Sequence, residues 1–242
     1  MTSHAPPLAG RTALVTGASR GIGAAIARRL ARHGARVALV SRDERALELL
    51  ASELGGGAVA VACDLHLPGA ADVVQAVLDD LGADSPDILV NNAGSFTIAP
   101  AHETAVDVFR ETLELNLTAP FAFVRAFLPG MQSRAQGHIV TVGSIADRAV
   151  FPGNAAYAAS KHGLRALHEV LRAELRGTGV RASLVSPGPV NTGLWDVVDP
   201  DGREGFTPRA QMLEPDAVAD AVSYVVTAPE QLNVDELRLS RA

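Results

Sequence analysis

The sequence predicts an α/β fold in a single domain, a doubly wound parallel sheet of about seven strands with helices on both faces. Two observations predict it: short β-branched runs alternate with longer segments of helical period, and no linker or low-complexity stretch interrupts the 242 residues. A third is local. A Gly-rich turn follows the first apolar run directly and leads straight into a helical pattern.

The strands are expected near residues 11–17, 35–41, 58–63, 87–91, 138–143, 180–186 and 234–239. Between them the helical period places helices near 21–33, 43–54, 68–81, 103–133, 154–176 and 214–227, with Gly34, Gly55 and Gly177 as C-terminal stops. Right-handed crossovers turn this alternation into a doubly wound sheet. Residues 1–10, with Pro6, Pro7 and Gly10, read as a flexible tail ahead of a single domain over 11–242. The stretch 187–213 is the least regular, and its 193–213 portion is the expected substrate loop.

Composition excludes several classes. Hydrophobic residues at 48% and charged residues at 20% fit a folded globular chain. A net charge of −6 with scattered basic residues argues against a nucleic-acid surface. Cys63 is the sole cysteine, so no intrachain disulfide and no Cys-x-x-Cys metal site can form. It reads as a small buried hydrophobe. His33, His162 and His168 lack partners at metal spacing and read as surface or capping residues, so no metal is expected. With no signal-like segment and no apolar run of about 18 residues, a cytoplasmic place away from membranes is expected.

The turn Thr16-Gly17-Ala18-Ser19-Arg20-Gly21-Ile22-Gly23 carries the first chemistry. Gly17 allows the sharp turn, Gly21 admits backbone to a pyrophosphate, and Gly23 lets helix and sheet approach; the helix N-terminus adds free N–H groups. This is the dinucleotide-binding, Rossmann-type arrangement. At the end of the second strand, where an acid would bind ribose hydroxyls, stands Ser41-Arg42. Arg42 and Arg20 suit a 2′-phosphate, so NADP is expected over NAD, with Asp43 left as the residue that would reverse the choice. Asp64 and Asn91 read either as adenosine contacts or as turn caps.

Tyr157 and Lys161 lie four apart on one helix face. A phenol with a pKa of about 10 works at neutral pH only if its phenolate is stabilised, which an ammonium and a positive nicotinamide ring can do. Ser144, ending the fifth strand, can bind the same oxygen. Asn116 can hold a water linking Lys161 to solvent, or cap or kink its own helix. Each of these has an ordinary structural alternative; the combination gives them weight.

Together the residues resemble the short-chain dehydrogenase/reductase family: TGASRGIG, NNAG at 91–94, Asn116, Ser144, Tyr157-x-x-x-Lys161 and Ser186-Pro187-Gly188, over residues 11 to about 192. The resemblance implies Tyr157 as acid/base, Lys161 as its partner and ribose ligand, Ser144 as oxygen donor, and Asn116 as relay support. It implies cofactor contacts from Gly17, Ser19, Arg20, Gly21, Ile22, Gly23, Ser41 and Arg42. Asp64, Leu65, Asn91, Ala93 and Gly94 would surround the adenosine half. Pro187, Gly188, Val190 and Thr192 would form the nicotinamide side. The expected activity is NADP(H)-dependent hydride transfer to or from a small ketone or alcohol, a carbonyl reductase. An NAD-dependent alcohol dehydrogenase and a non-catalytic cofactor-binding sensor or scaffold are the alternatives. The ending NVDELRLSRA lacks the Gly-rich final strand of many members, and a homodimer or homotetramer is expected by analogy. Trp195 and Leu194 read either as pocket wall or as local loop packing.

Overall fold

A computed structural model describes residues 5–242. Seven strands, β1 (Thr12–Thr16), β2 (Arg36–Ser41), β3 (Val59–Ala62), β4 (Ile88–Asn91), β5 (Gly137–Val142), β6 (Val180–Pro187) and β7 (Glu236–Leu239), pair in parallel in the order β3-β2-β1-β4-β5-β6-β7. The central strands read as unbroken apolar runs because both of their faces are covered. Strand alternation sends Val15 one way and Leu14 the other. Val15 packs with Leu39, Ile26, Leu30 and Val222 beneath α1 (Gly21–Arg32), α2 (Glu44–Leu54) and α7 (Pro215–Thr227). Leu14 packs with Leu89, Val74, Phe123 and Phe127 beneath α3 (Ala70–Asp80), α5 (Ala119–Ser133) and α6 (Ala155–Glu174).

The expected helix over 103–133 is broken. It consists of α4 (Val106–Leu113), a π-helical turn at Glu114–Thr118, and α5. Pro120, in the first turn of α5, has no N–H to give the Asn116 carbonyl, its ordinary partner four residues back. The chain takes an extra residue at that point, as π-turns do, and Asn116 becomes fully buried.

Two further expectations are corrected. Of the tail over 1–10, residues 1–4 lie outside the described residues, and the portion from Pro6 is docked. Leu8 is 4% exposed in the core beneath α1, and its N–H donates to His33 O at 2.9 Å. An apolar side chain within reach of an open core edge gains by leaving water. His168 is not at the surface. While His33 caps α1 and His162 is exposed, His168 lies on the inner face of α6, 2% exposed, with Nδ1 3.2 Å from Thr141 Oγ1. Burial pulls its pKa down to about 4, so it packs as a neutral ring.

The docked Leu8 generates a test. Leu8→Ala is expected to lower unfolding stability by about 2–3 kcal/mol, read from urea or guanidinium denaturation. A midpoint equal to that of the parent protein would return this segment to the status of a tail.

Candidate active site

The strand order reverses between β1 and β4, and a crevice opens at their C-terminal ends. It is a cleft of about 460 Å³. The Thr16 hydroxyl at the end of β1 accepts from the N–H groups of Asn92 and Ala93, both at 3.0 Å, and Asn92 Nδ2 donates to Thr16 O at 2.9 Å. The glycines of the turn answer to contact. A Cβ on Gly23 would stand 2.1 Å from Gly17 O, and Gly17, at φ +67°, would bring one within 2.9 Å of Ala93 Cα. The turn, the first helical turn of α1 and the β4 exit therefore approach closely only without side chains. Arg20 precedes α1 in extended backbone, and no side chain caps the helix amides.

Most of the sequence-derived cofactor residues meet here. Gly17, Ser19, Arg20, Gly21, Ile22, Gly23, Ser41, Arg42, Asp64, Leu65, Ala93, Gly94 and Thr192 all line the cleft. Asn91 does not. It is the buried last residue of β4, and Asn92, the next in line, makes the contacts to Thr16 and Gly17. Pro187, Gly188 and Val190 lie outside the cleft lining, at and beyond the end of β6. Cys63 and His66 join the cleft without having been expected there. Cys63 is half-buried rather than buried, and burial pushes its thiol pKa up. His66 donates its N–H to Asp64 Oδ1 at 3.1 Å and sets Nδ1 2.8 Å from the same oxygen, which holds the Asp64 carboxyl below the usual range. Asp64 is thus both a turn cap and a cleft residue. Asp43, the residue that would favour NAD, accepts from Ala46 N at 3.0 Å and caps α2.

The second group lies where β5 and β6 end. Ser144 follows Gly143 at the exit of β5 and opens a 3₁₀ turn over Ile145–Asp147, its hydroxyl accepting from Ala146 N at 3.1 Å. Tyr157 and Lys161 sit on successive turns of α6, with Nζ 5.7 Å from the phenol ring centre. Lys161 is 5% exposed and donates to Val142 O at 3.1 Å. Burial lowers its pKa to about 8, opposed by the charge of Asp147. Burial likewise raises the Tyr157 phenol; a hydrogen bond with Ser144 opposes the rise and Asp147 adds to it. In the protein alone, burial outweighs the other influences on the phenol. The ammonium is tied to a backbone carbonyl, and desolvation acts on both groups first.

Asn116 connects the two groups. Its Oδ1 accepts from Ser95 N at 2.8 Å, and Nδ2 donates to Ser95 O and to Ser160 Oγ, both at 3.0 Å. The Ser160 hydroxyl in turn donates to Tyr157 O at 2.7 Å. One buried amide therefore ties the segment after β4 to the helix bearing Tyr157.

Sequence reasoning missed two residues at this site. Phe96 meets Tyr157 edge-on at 4.9 Å between ring centres and Trp195 at 5.0 Å, with Phe206 6.4 Å beyond Trp195. Trp195 Nε1 donates to Val190 O at 3.0 Å, so its ring packs locally and also faces the reactive end. The 187–213 stretch is pinned at its base by Asn191 N to Leu213 O and Leu213 N to Pro189 O. The other missed residue is Asp147, 1% exposed. Its signal was available in the Ser-x-x-Asp spacing of a capping box at 144–147.

A family model described as short chain dehydrogenase matches residues 11–202. The chain is 37% identical over 238 residues to glycine betaine reductase ATRR of Emericella nidulans, covering 96% of this chain and 19% of that much longer protein. It is 38% identical over 229 residues to D-threitol dehydrogenase of Mycolicibacterium smegmatis, covering 91% of this chain and 87% of the relative. A crystal structure of a metagenomic short-chain oxidoreductase in complex with NADP superposes with a TM-score of 0.83 at 37% identity, over 98% of this chain and 99% of the other. No helix among the described residues is long and apolar enough to cross a membrane.

The Gly23 contact predicts a ligand effect. Gly23→Ala forces the turn off α1 at a cost of about 1–3 kcal/mol, expected as roughly a 10- to 100-fold weaker dissociation constant for the dinucleotide. Fluorescence titration with NADPH checks it, and unchanged affinity would remove the turn from the binding site.

Proposed function

This chain belongs to the short-chain dehydrogenase family of oxidoreductases, with their NAD(P)-binding Rossmann fold, and we propose that it is an NADP(H)-dependent enzyme interconverting a small, moderately apolar ketone and its alcohol. The observation that carries the reading is Tyr157, backed by buried Lys161 one helical turn on and lying where β5 ends in Ser144, at the same C-terminal end of the sheet as the dinucleotide cleft.

NADP(H) held in the cleft by the Gly17–Gly23 turn, Arg20 and Arg42 would supply hydride to the carbonyl carbon in reduction and take it back in oxidation. Tyr157 gives its phenolic proton to the carbonyl oxygen as negative charge develops there. Ser144 hydrogen-bonds that same oxygen. Lys161 keeps a positive charge behind the resulting phenolate. Asn116 fixes the distance between the cofactor loop and α6. Its side-chain donors are both spent on Ser95 and Ser160.

Preference for NADP rests on Arg42 and Arg20, two exposed cations in the adenosine half of the cleft. Commitment of Asp43 to the α2 cap supports it further. The aromatic wall of Phe96 and Trp195 beside Tyr157 supports an apolar substrate group. Phe121 and Val170, half exposed on α5 and α6, support self-association through those helices. Free Cys63 suits the reducing cytoplasm.

Two substitutions test the reading. Arg42→Asp is expected to weaken NADPH binding by about tenfold or more while moving NADH binding little, since it replaces a phosphate partner by a like charge. Equal losses would sink the 2′-phosphate assignment. Tyr157→Phe is expected to cut turnover by about 10²–10⁴-fold in a ketone panel with NADPH, because only the proton donor is removed, with cofactor affinity preserved. Turnover at the parent rate would refute the acid/base role.

A further inference from the structure

Behind Ser144 lies a buried charge cluster for which the hydride chemistry as described has no use. Asp147 Oδ2 accepts from the Ser186 hydroxyl at the end of β6 and, at 3.4 Å, from the Ser144 N–H. Its Oδ1 accepts from Arg148 Nε at 2.8 Å and lies 4.0 Å from Arg165 of α6. Both arginines reach Glu236 on β7, and Arg165 also pairs with Glu169 at 2.9 Å. Gly143 makes room for the arrangement: a Cβ there would stand 2.6 Å from both Asp147 Oδ2 and Ser186 Oγ.

As packing, this is a costly device. A fully buried carboxylate loses several kcal/mol of hydration, and a well-fitted apolar side chain would often do better. The cluster instead places a fixed negative charge beside Ser144, on a turn that an arginine of α6 reaches. We propose that Asp147 is a positioning residue for the reaction: its clamped carboxylate anchors the Ser144 turn against β6 and α6 and fixes the electrostatic surroundings of the reactive end.

The sign follows from the surroundings. Asp147 raises the proton affinity of both Tyr157 and Lys161, against the burial that strips Lys161 of charge. The facing groups are Arg148 on its own turn, Arg165 and Lys161 on α6, Ser186 on β6 and Glu236 on β7. Near them His168 is neutral at ordinary pH. The negative charge thus widens the pH range over which Lys161 stays cationic and Tyr157 stays a proton donor, the state that carbonyl reduction needs. Arg165, drawing on the same carboxylate, limits the effect.

The chain's two tyrosines make this directly readable. Tyr224 is exposed on α7, so a Tyr224→Phe background leaves Tyr157 as the sole phenol, whose ionisation is followed by near-ultraviolet absorbance in protein saturated with NADP⁺. Asp147→Asn is expected to lower the Tyr157 midpoint by about half to one pH unit. Arg165→Gln is expected to raise it, and should the first variant fail to fold, this second one decides. Midpoints equal to the parent's, or an Arg165→Gln midpoint shifted downward, would overturn the proposal. The inference rests on the assigned role of Tyr157. Retained turnover in Tyr157→Phe would fail that role, whereas lost turnover there with an unmoved midpoint in Asp147→Asn would fail this inference alone.

Discussion

The seam between β1 and β4 is the constraint on which the rest of the molecule depends. These two strands pair in the middle of the sheet, yet their connections leave toward opposite faces, so the chain must separate at their C-terminal ends. The Thr16 hydroxyl and the Asn92 amide keep that separation from becoming a gap, bonding β1 to the β4 exit just where the ladder stops. The turn through Gly17 can then lie against Ala93, and α1 can start close enough to the sheet to aim its N-terminus into the crevice. Side-chain bulk at this seam would move the helix, and with it the whole dinucleotide half.

From the seam, position is passed on through Asn116. A straight α-helix over 106–133 would follow one periodicity throughout; the π-turn rotates the chain by one residue and sets a polar amide in a fully buried place. There it spends its side-chain donors on Ser95, which follows the NNAG segment, and on Ser160, which is bonded to the backbone of Tyr157. The segment after β4 and the helix bearing Tyr157 are thereby held at a fixed separation by buried bonds, each costly to leave unmade. Hydride transfer needs such geometry, because small misplacements of reacting atoms cost large factors in rate.

This construction explains what could be read from the sequence. Strand and helix bounds were legible to within about three residues because parallel strands buried on both faces are apolar runs, and Gly34, Gly55 and Gly177 do carry the positive φ expected after helices. The turn from Gly17 to Gly23 was legible because its chemistry is contiguous in the chain. The π-turn was not: one inserted residue barely disturbs a hydrophobic period, and only Pro120, four positions after Asn116, hinted at it. Within the NNAG segment, which of Asn91 and Asn92 lines the cleft depends on where β4 ends, because a one-residue difference there decides which side of the sheet a side chain takes. Phe96, Asp147 and the burial of Leu8 and His168 all depend on which distant segments meet, and local pattern carries little of that.

The two halves of the site are built on different physical terms, and this orders how firmly each is specified. At the glycine-turn end of the cleft, Arg20 and Arg42 are exposed and water-screened, so each adds little to the stability of the free protein. At the reactive end, Lys161, Asn116 and Asp147 are buried, and each depends in part on groups from other elements: Val142 of β5, Ser95 after β4 and Ser186 of β6. A change to one of these leaves a desolvated partner behind, a penalty larger than the worth of the lost contact itself. The proposed reactive end is therefore embedded in the fold, while the residues proposed to choose the dinucleotide are laid on its surface.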